Sequence, residues 1–275
     1  MENSIKKGKH KLPADIKETI SKRYKRITKV MNKEFWNNES EFKHSLYVGS
    51  YGRGTAIESS DIDILLELPA SEFDRYDNYK FNGQSQLLQL LKTAILETYP
   101  NTDIKADGQV VVLNFTDGMK MELLPAFKET KWDGTTVYKY PDTNMGGRWK
   151  STNPKAEQNA IKDKDSNVNS NGLMTETCKH LRYIRDTYFS SYHLSGIVID
   201  TFVYNAIGYW HFPKNKDAEK VKPLKTFEEY LLDNFNIVTN NGTLTPTWFA
   251  PGSNMIVETG TSIKCLQKVL KKINE

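Results

Sequence analysis

Residues 47–69 read YVGSYGRGTAIESSDIDILLELP, and the fold turns on how this stretch is read. A β-strand sends successive side chains to opposite faces. In DIDILLEL this puts Ile62 and Ile64 on one face and Asp61 and Asp63 on the other. Two carboxylates a few Å apart repel and raise each other's pKa unless a cation lies between them. A bare Asp-x-Asp is usually a solvated strand end or a pair of salt bridges. Here its surroundings change the reading. VVVLNF and MKMELLPAF flank Asp117-Gly118, the pair favoured by a two-residue hairpin turn in which both positions take positive φ, so these segments are expected to be antiparallel neighbours. On the second of them Glu122 faces the same way as Lys120 and away from Met119, Met121 and Leu123. If this hairpin lies beside the strand carrying Asp61, three carboxylates meet in an all-oxygen site. Such a site suits Mg²⁺ or Mn²⁺ far better than zinc.

The loop ahead of the aspartates contains Gly49, Ser50, Gly52 and Gly54. Glycines let backbone N–H groups approach phosphate oxygens with no Cβ in the way, and Ser50, Arg53 and Thr55 add donors. The loop is neither a GxxxxGK[ST] P-loop nor a GxGxxG dinucleotide fingerprint. Joined to an Asp-x-Asp that begins eleven residues after Ser50, it reads as a phosphate cradle beside a two-metal platform. That combination is the machinery of nucleotidyl transfer.

The remainder of the chain is consistent with a globular enzyme in two lobes. It has 275 residues, 38% of them hydrophobic and 26% charged, with a formal charge of +4. This excess fits an anionic substrate such as a nucleotide but does not by itself argue for a nucleic-acid binder. Cys178 and Cys265 are the only cysteines, which excludes a disulfide framework and a thiolate metal site; both read as buried helical thiols. His193 and His211 belong to no ligand cluster of recognisable spacing. No apolar leader or membrane span is evident, so a cytoplasmic protein with no membrane partner is expected.

Apolar residues at Ile16, Ile20, Tyr24, Ile27 and Met31 predict a helix over 14–36 with a basic face read as solvated. Helices are also predicted over 84–99, with Ser85 as its cap, and over 176–188, 194–210, 226–235 and 260–273. Residues 129–172 are polar and glycine-containing, and Asn153-Pro154 starts a helix that the run SNVNSNG ends. The domains are therefore placed at 1–150, a catalytic lobe with its N-terminal helix, and 151–275, a mainly helical lobe closing a nucleotide cleft.

The order Gly-Ser, Asp-x-Asp and a third acid on a later strand resembles the signature of polymerase-beta-like nucleotidyltransferases. Within that superfamily, GSYGRGTAIESSDIDILLEL and MELLPAF are similar to the bacterial cGAS/DncV-like nucleotidyltransferases (CD-NTases). LRYIRD resembles the helix that carries a triphosphate-binding cation, with Arg182 where lysine is usual, and FSSYHLSGIVID resembles the next helix start, where Ser191 would touch phosphate and Tyr192 would stack on a base. By residue pattern alone, Lys179, Arg182 and Asp186 are as well read as a solvated face, and Tyr192 as a packed aromatic. Glu122 stands where many members have Asp, and Ala250 where relatives often carry an acid.

The resemblance implies an α+β fold, a mixed sheet with flanking helices, plus the C-terminal helical lobe. It implies two Mg²⁺ ions, or Mn²⁺, on Asp61, Asp63 and Glu122, with Gly49, Ser50, Arg53, Arg182, Ser191 and Tyr192 binding the nucleotide. The implied activity joins nucleoside triphosphates into a cyclic or short linear oligonucleotide messenger, in bacterial anti-phage signalling, read by a separate downstream receptor. A monomer with no stable nucleic-acid partner is expected. The rival readings are nucleotidyl transfer to an RNA end, a protein hydroxyl or an antibiotic, and a catalytically silent module that senses nucleotides or RNA.

Overall fold

A computed structural model describes residues 4–79, 81–214 and 224–275. The chain forms two compact units. The sheet unit comprises Pro13–Gly52 and Asp61–Pro154, and the helical unit comprises Lys155–Glu275 together with the segment up to Leu12 and the loop Arg53–Ser60.

The sheet unit begins with α1 (Ala14–Trp36), which buries Ile20, Ile27 and Met31 at helical spacing. Its basic face is only partly solvated. Arg23 donates to both oxygens of Asp117 and lies over the Phe115 ring, and Arg26 donates to the Thr98 carbonyl beside Tyr99. The chain continues through β1 (Ser45–Tyr47), the single turn α2 (Gly49–Gly52), β2 (Ile62–Leu68), α3 (Ala70–Asp77) and α4 (Gly83–Thr98). Asn82, and not Ser85, caps α4: its side chain accepts from the Ser85 N–H. Next come β3 (Asp103–Asp107), β4 (Val110–Asn114), β5 (Lys120–Thr130), β6 (Thr136–Asp142) and β7 (Arg148–Thr152).

These strands form one mixed sheet in the order β1-β2-β5-β4-β3, with β6 on the far half of β5 and β7 on β6. β2 and β5 run parallel; the other pairs are antiparallel. One face, with Ile62, Ile64, Leu66, Met121 and Leu123, packs against Ile20 and Ile27 of α1 and Leu87 and Leu91 of α4. The other face carries a small cluster of Val48, Leu65, Ala126 and Tyr138. Being apolar on both faces is what makes β2 a central strand.

Two sequence expectations are corrected here. The polar stretch after Lys128 contains β6 and β7, whose buried Val137 and Tyr138 are too few to set a pattern. The β4–β5 loop holds five residues, 115–119, closed by Phe115 N–H donating to Met119 O, with only Gly118 of the Asp117-Gly118 pair at positive φ. Asp117 is left to accept from Arg23 and from the Met119 N–H.

The helical unit contains α5 (Pro154–Asp165), α6 (Leu173–Tyr188), α7 (Gly196–Ala206), α8 (Phe227–Thr239), the strand pair β8 (Trp248–Phe249) and β9 (Ile256–Val257), and α9 (Ser262–Lys272). Leu181, Val198, Phe202, Leu231, Phe235, Leu266 and Val269 build its core, and Cys178 and Cys265 are buried in helices. Thr226 and Glu229 form a capping box that fixes the start of α8. Ala250, in the turn after β8, is buried, so an acid there would need a partner. No helix among the described residues is long and apolar enough to cross a membrane.

Asp200 of α7 lies fully buried within this core. Arg182 Nη1 donates to its Oδ1 at 2.7 Å, and Arg53 Nε and Thr55 Oγ1 donate to its Oδ2 at 2.8 and 3.1 Å. Arg53 Nη1 also reaches Glu157 Oε2 at 3.1 Å, and Arg182 Nη2 the Gly196 carbonyl at 2.9 Å. Burial alone would raise the Asp200 carboxyl, but Arg182 and Arg53 outweigh it and hold it down to about 2.

Removing this charge leaves the buried Arg182 guanidinium without its anion and Arg53 with Glu157 alone. Asp200→Asn is expected to lower the unfolding free energy by about 3–5 kcal/mol. Because the folded pKa is depressed, the stabilisation is complete above the ordinary Asp range near ~4 and is lost as pH falls toward about 2. Urea melts across that window should show a steep loss for wild type and a shallower one for the variant. Parallel pH dependence in the two proteins would remove Asp200 as the source.

Candidate active site

The parallel pairing of β2 and β5 sets Asp63 directly beside Glu122. Both point to the sheet face opposite Ile62, Ile64, Met121 and Leu123, at one end of the cluster formed by Leu65 and Ala126. Asp61 immediately precedes β2. Lys120 Nζ lies 2.8 Å from Asp61 Oδ2 and 2.6 Å from Glu122 Oε1, so one ammonium spans acids from both strands. Burial would lower the Lys120 pKa, but its bonds to Asp61 and Glu122 outweigh this and hold it above the ordinary lysine range. The three side chains Asp61, Glu122 and Lys120 stay 44%, 26% and 36% exposed, so solutes can reach them.

Gly49 and Ser50 open α2, directly after Val48, whose N–H bonds to the Asp63 carbonyl at 2.9 Å. This contact ties the Gly-Ser turn to the aspartate strand. Gly49 has φ +57°, and a Cβ placed there would lie 1.8 Å from Asp63 Oδ2. Only glycine meets both demands, a left-handed backbone and a carboxylate packed against its Cα.

The other residues singled out in the sequence belong to the helical unit. Arg53 and Arg182 do not present free guanidinium groups: Arg182 is buried, the Arg53 side chain is only 9% exposed, and both are bound to Asp200, with Glu157 as the second acid on Arg53. Lys179 pairs with Glu176, and Asp186 accepts from Ser59 at 2.6 Å, so these residues do not act as one face with Arg182. Ser191 and Tyr192 are exposed in the turn between α6 and α7, and α7 starts later than predicted, at Gly196. Lys268 Nζ sits 4.9 Å from the Tyr192 ring centroid.

Sequence reasoning missed the role of Asp200, whose signal was an acid inside the apolar run GIVIDTF, and that of Lys120, whose signal was a cation on the acidic face of β5. Among the described residues, no three His, Cys, Asp or Glu side chains close into a metal cage. The donor set still fits a hard divalent cation: the acids offer oxygen only, two lie side by side on adjacent strands, and the cluster already draws in the Lys120 ammonium as a stand-in cation.

The domain described as Second Messenger Oligonucleotide or Dinucleotide Synthetase matches residues 10–165. Three solved structures are similar over most of their length. The Elizabethkingia meningoseptica CdnE cyclic dinucleotide synthase, with GTP and Apcpp, is 13% identical with TM-score 0.60, covering 91% of this chain and 89% of that one. The STING-associated CdnE c-di-GMP synthase from Capnocytophaga granulosa is 14% identical with TM-score 0.63, covering 95% and 80%. The Bradyrhizobium diazoefficiens CD-NTase CdnG, in complex with GTP, is 12% identical with TM-score 0.60, covering 99% and 86%. At such identity the likeness is one of fold. No curated protein sequence matches.

The Gly49–Asp63 contact generates a test that needs no substrate. Gly49→Ala should cost about 1–3 kcal/mol of stability, from left-handed strain and displacement of the Asp63 carboxylate. In an Asp63→Ala background most of the collision is gone, so the same substitution should cost at least about 1 kcal/mol less. Denaturant melts of the four proteins measure the coupling, and strict additivity would show that the two residues do not touch.

Proposed function

This chain belongs to the Second Messenger Oligonucleotide or Dinucleotide Synthetase family, the bacterial CD-NTases, and we propose that it joins nucleoside triphosphates into a cyclic or short linear oligonucleotide, releasing pyrophosphate. The observation that carries the reading is the register of β2 on β5, with Asp63 beside Glu122 and Asp61 sharing Lys120 with Glu122. In each transfer an acceptor ribose oxygen bonds to the donor α-phosphorus, the bond from that phosphorus to the bridging oxygen of the β-phosphate breaks, and the hydroxyl proton is lost.

Asp61 and Asp63 would hold the donor's Mg²⁺ or Mn²⁺, and Glu122 a second one on the acceptor side. Such ions supply charge neutralisation on the leaving pyrophosphate and a lowered pKa for the attacking hydroxyl. Ser50 and the turn begun by Gly49 would hold the β and γ phosphates, and Gly49 keeps Asp63 close to that turn. Ser191 would add a hydroxyl to the phosphates, and Tyr192 an exposed ring on which a base can stack. We assign Arg53 and Arg182 to the frame around Asp200, not to phosphate. The protein contributes mainly position and charge. GTP in the similar structures is consistent with nucleoside triphosphates as substrates here. A bacterial anti-phage signal read by a separate receptor is the setting this product suits.

Incubation with labelled nucleoside triphosphates and Mg²⁺ or Mn²⁺, without another acceptor, tests the proposal. Wild type should yield an oligonucleotide and pyrophosphate, and Asp61→Asn and Asp63→Asn neither. Glu122→Gln should keep metal-dependent nucleotide binding while its rate falls by roughly three orders of magnitude or more, the scale of metal-assisted nucleophile generation. Product only when an RNA, protein or antibiotic is added would move the chain to transfer onto that acceptor. RNA binding without metal and without pyrophosphate release would make it a silent sensor.

Tyr192→Ala should raise the nucleotide KM by about 10- to 100-fold, with a smaller effect on kcat, as loss of a stacking platform worth roughly 1–3 kcal/mol requires. Tyr192→Phe should behave as wild type. If Phe is as damaging as Ala, the hydroxyl carries the effect and stacking does not.

A further inference from the structure

We propose that Lys120 is a built-in counter-ion of the carboxylate site, whose ammonium must leave before a divalent cation can reach Glu122. The inference deepens the nucleotidyl-transfer reading and rests on it. Its basis is the double contact of one Nζ, 2.8 Å from Asp61 Oδ2 and 2.6 Å from Glu122 Oε1.

A single exposed lysine–carboxylate pair contributes little and would carry no argument. Lys120 differs in what surrounds it. The β2–β5 register fixes Asp63 against Glu122, and Gly49 packs on the Asp63 carboxylate, so backbone geometry holds negative charge here whether or not a cation is present. With Lys120 the group of Asp61, Asp63 and Glu122 carries a net charge of −2; without it, −3. Lys120 stands two residues before Glu122 on the same face of β5, so its ammonium fills space between Asp61 and Glu122 that a cation bound to Glu122 would enter.

Two consequences follow. A divalent ion arriving alone meets a like charge and must break both lysine contacts, so it binds weakly. The flexible, strongly hydrated lysine side chain can swing along its face without disturbing the strand. When the ion arrives with a nucleotide, the triphosphate offers the displaced ammonium a new anionic partner. Metal and nucleotide then bind cooperatively, and the coupling acts equally in both directions. Lysine is suited to this exchange in a way arginine is not, because a guanidinium grips a carboxylate through a planar, two-pronged bond.

The test is Mn²⁺ binding to the full chain without nucleotide, by electron paramagnetic resonance or calorimetry, alongside thermal melts. Lys120→Met keeps the apolar stem and removes the charge; it should bind Mn²⁺ about tenfold tighter or more than wild type. Its metal-free Tm should fall, and Mn²⁺ should restore it. Lys120→Arg should bind Mn²⁺ no better than wild type. Addition of a nucleoside triphosphate should tighten Mn²⁺ binding more in wild type than in Lys120→Met. Mn²⁺ binding in wild type that is abolished by Asp63→Asn yet unchanged in Lys120→Met would overturn the counter-ion role alone. Binding indifferent to Asp63→Asn, or absent from wild type and Lys120→Met alike, would overturn the metal site itself and this inference with it.

Discussion

The parallel pairing of β2 with β5 is the constraint on which the site depends. In a parallel pair the register is set once for the whole ladder, and a slip of one residue would exchange the faces of every side chain. Ile62, Ile64, Leu66, Met121 and Leu123 all need the face covered by α1 and α4. The apolar pattern therefore selects the register, and the register then leaves Asp63 and Glu122 together on the other face. Hydrophobic burial thus does electrostatic work: the repulsion between the acids is small against the area those five side chains remove from water.

The helical unit solves a different charge problem. Asp200 is placed in an apolar helix and neutralised by Arg182 and Arg53, with Glu157 completing the alternation of sign. Both carboxylate oxygens of Asp200 accept hydrogen bonds, the condition under which a buried ion pair is tolerated. Arg53 follows the Gly-Ser turn by three residues, and Thr55 by five. The segment that looked in sequence like a continuation of the phosphate loop therefore anchors the chain in the helical core. Sequence spacing beside a nucleotide motif carries no information about which acids a guanidinium pairs with, and Arg53 pairs with Asp200 and Glu157.

Much of the fold was legible because its signals are local and repeated. The period of α1 gave its limits, Ala14 to Trp36, and alternation gave the faces of β2 and β5. The place of Glu122 on the face of Asp63 was legible because it breaks an apolar strand. What escaped lacks a local signature. β6 and β7 are ordered by pairing on the far half of β5, beyond the part that β4 covers, so their strand identity rests on non-local hydrogen bonds. The β4–β5 turn departs from the favoured two-residue form, and Asp117 there accepts both from the Met119 N–H and from Arg23, more than ninety residues earlier, a partner that local spacing does not show. Asn82 displaces Ser85 as the cap of α4 because the helix starts at Gly83, so Ser85 lies past the capping position.

The balance of exposure follows from the same geometry. Acids set deeper along β2 and β5 would stand where Leu65 and Ala126 now pack, fully buried, and would have to be neutral or permanently paired. Acids set beyond the strand ends would lose the register that holds them together. At Asp61, Asp63 and Glu122 the backbone is still paired or adjacent to pairing while the side chains remain partly open to solvent, so a cation can come and go. Lys120 belongs to this compromise. It sits at the first residue of β5, where the strand is ordered enough to aim its ammonium at two acids and open enough for that ammonium to leave. An exchangeable charge needs both properties, and only the mouth of the sheet provides them.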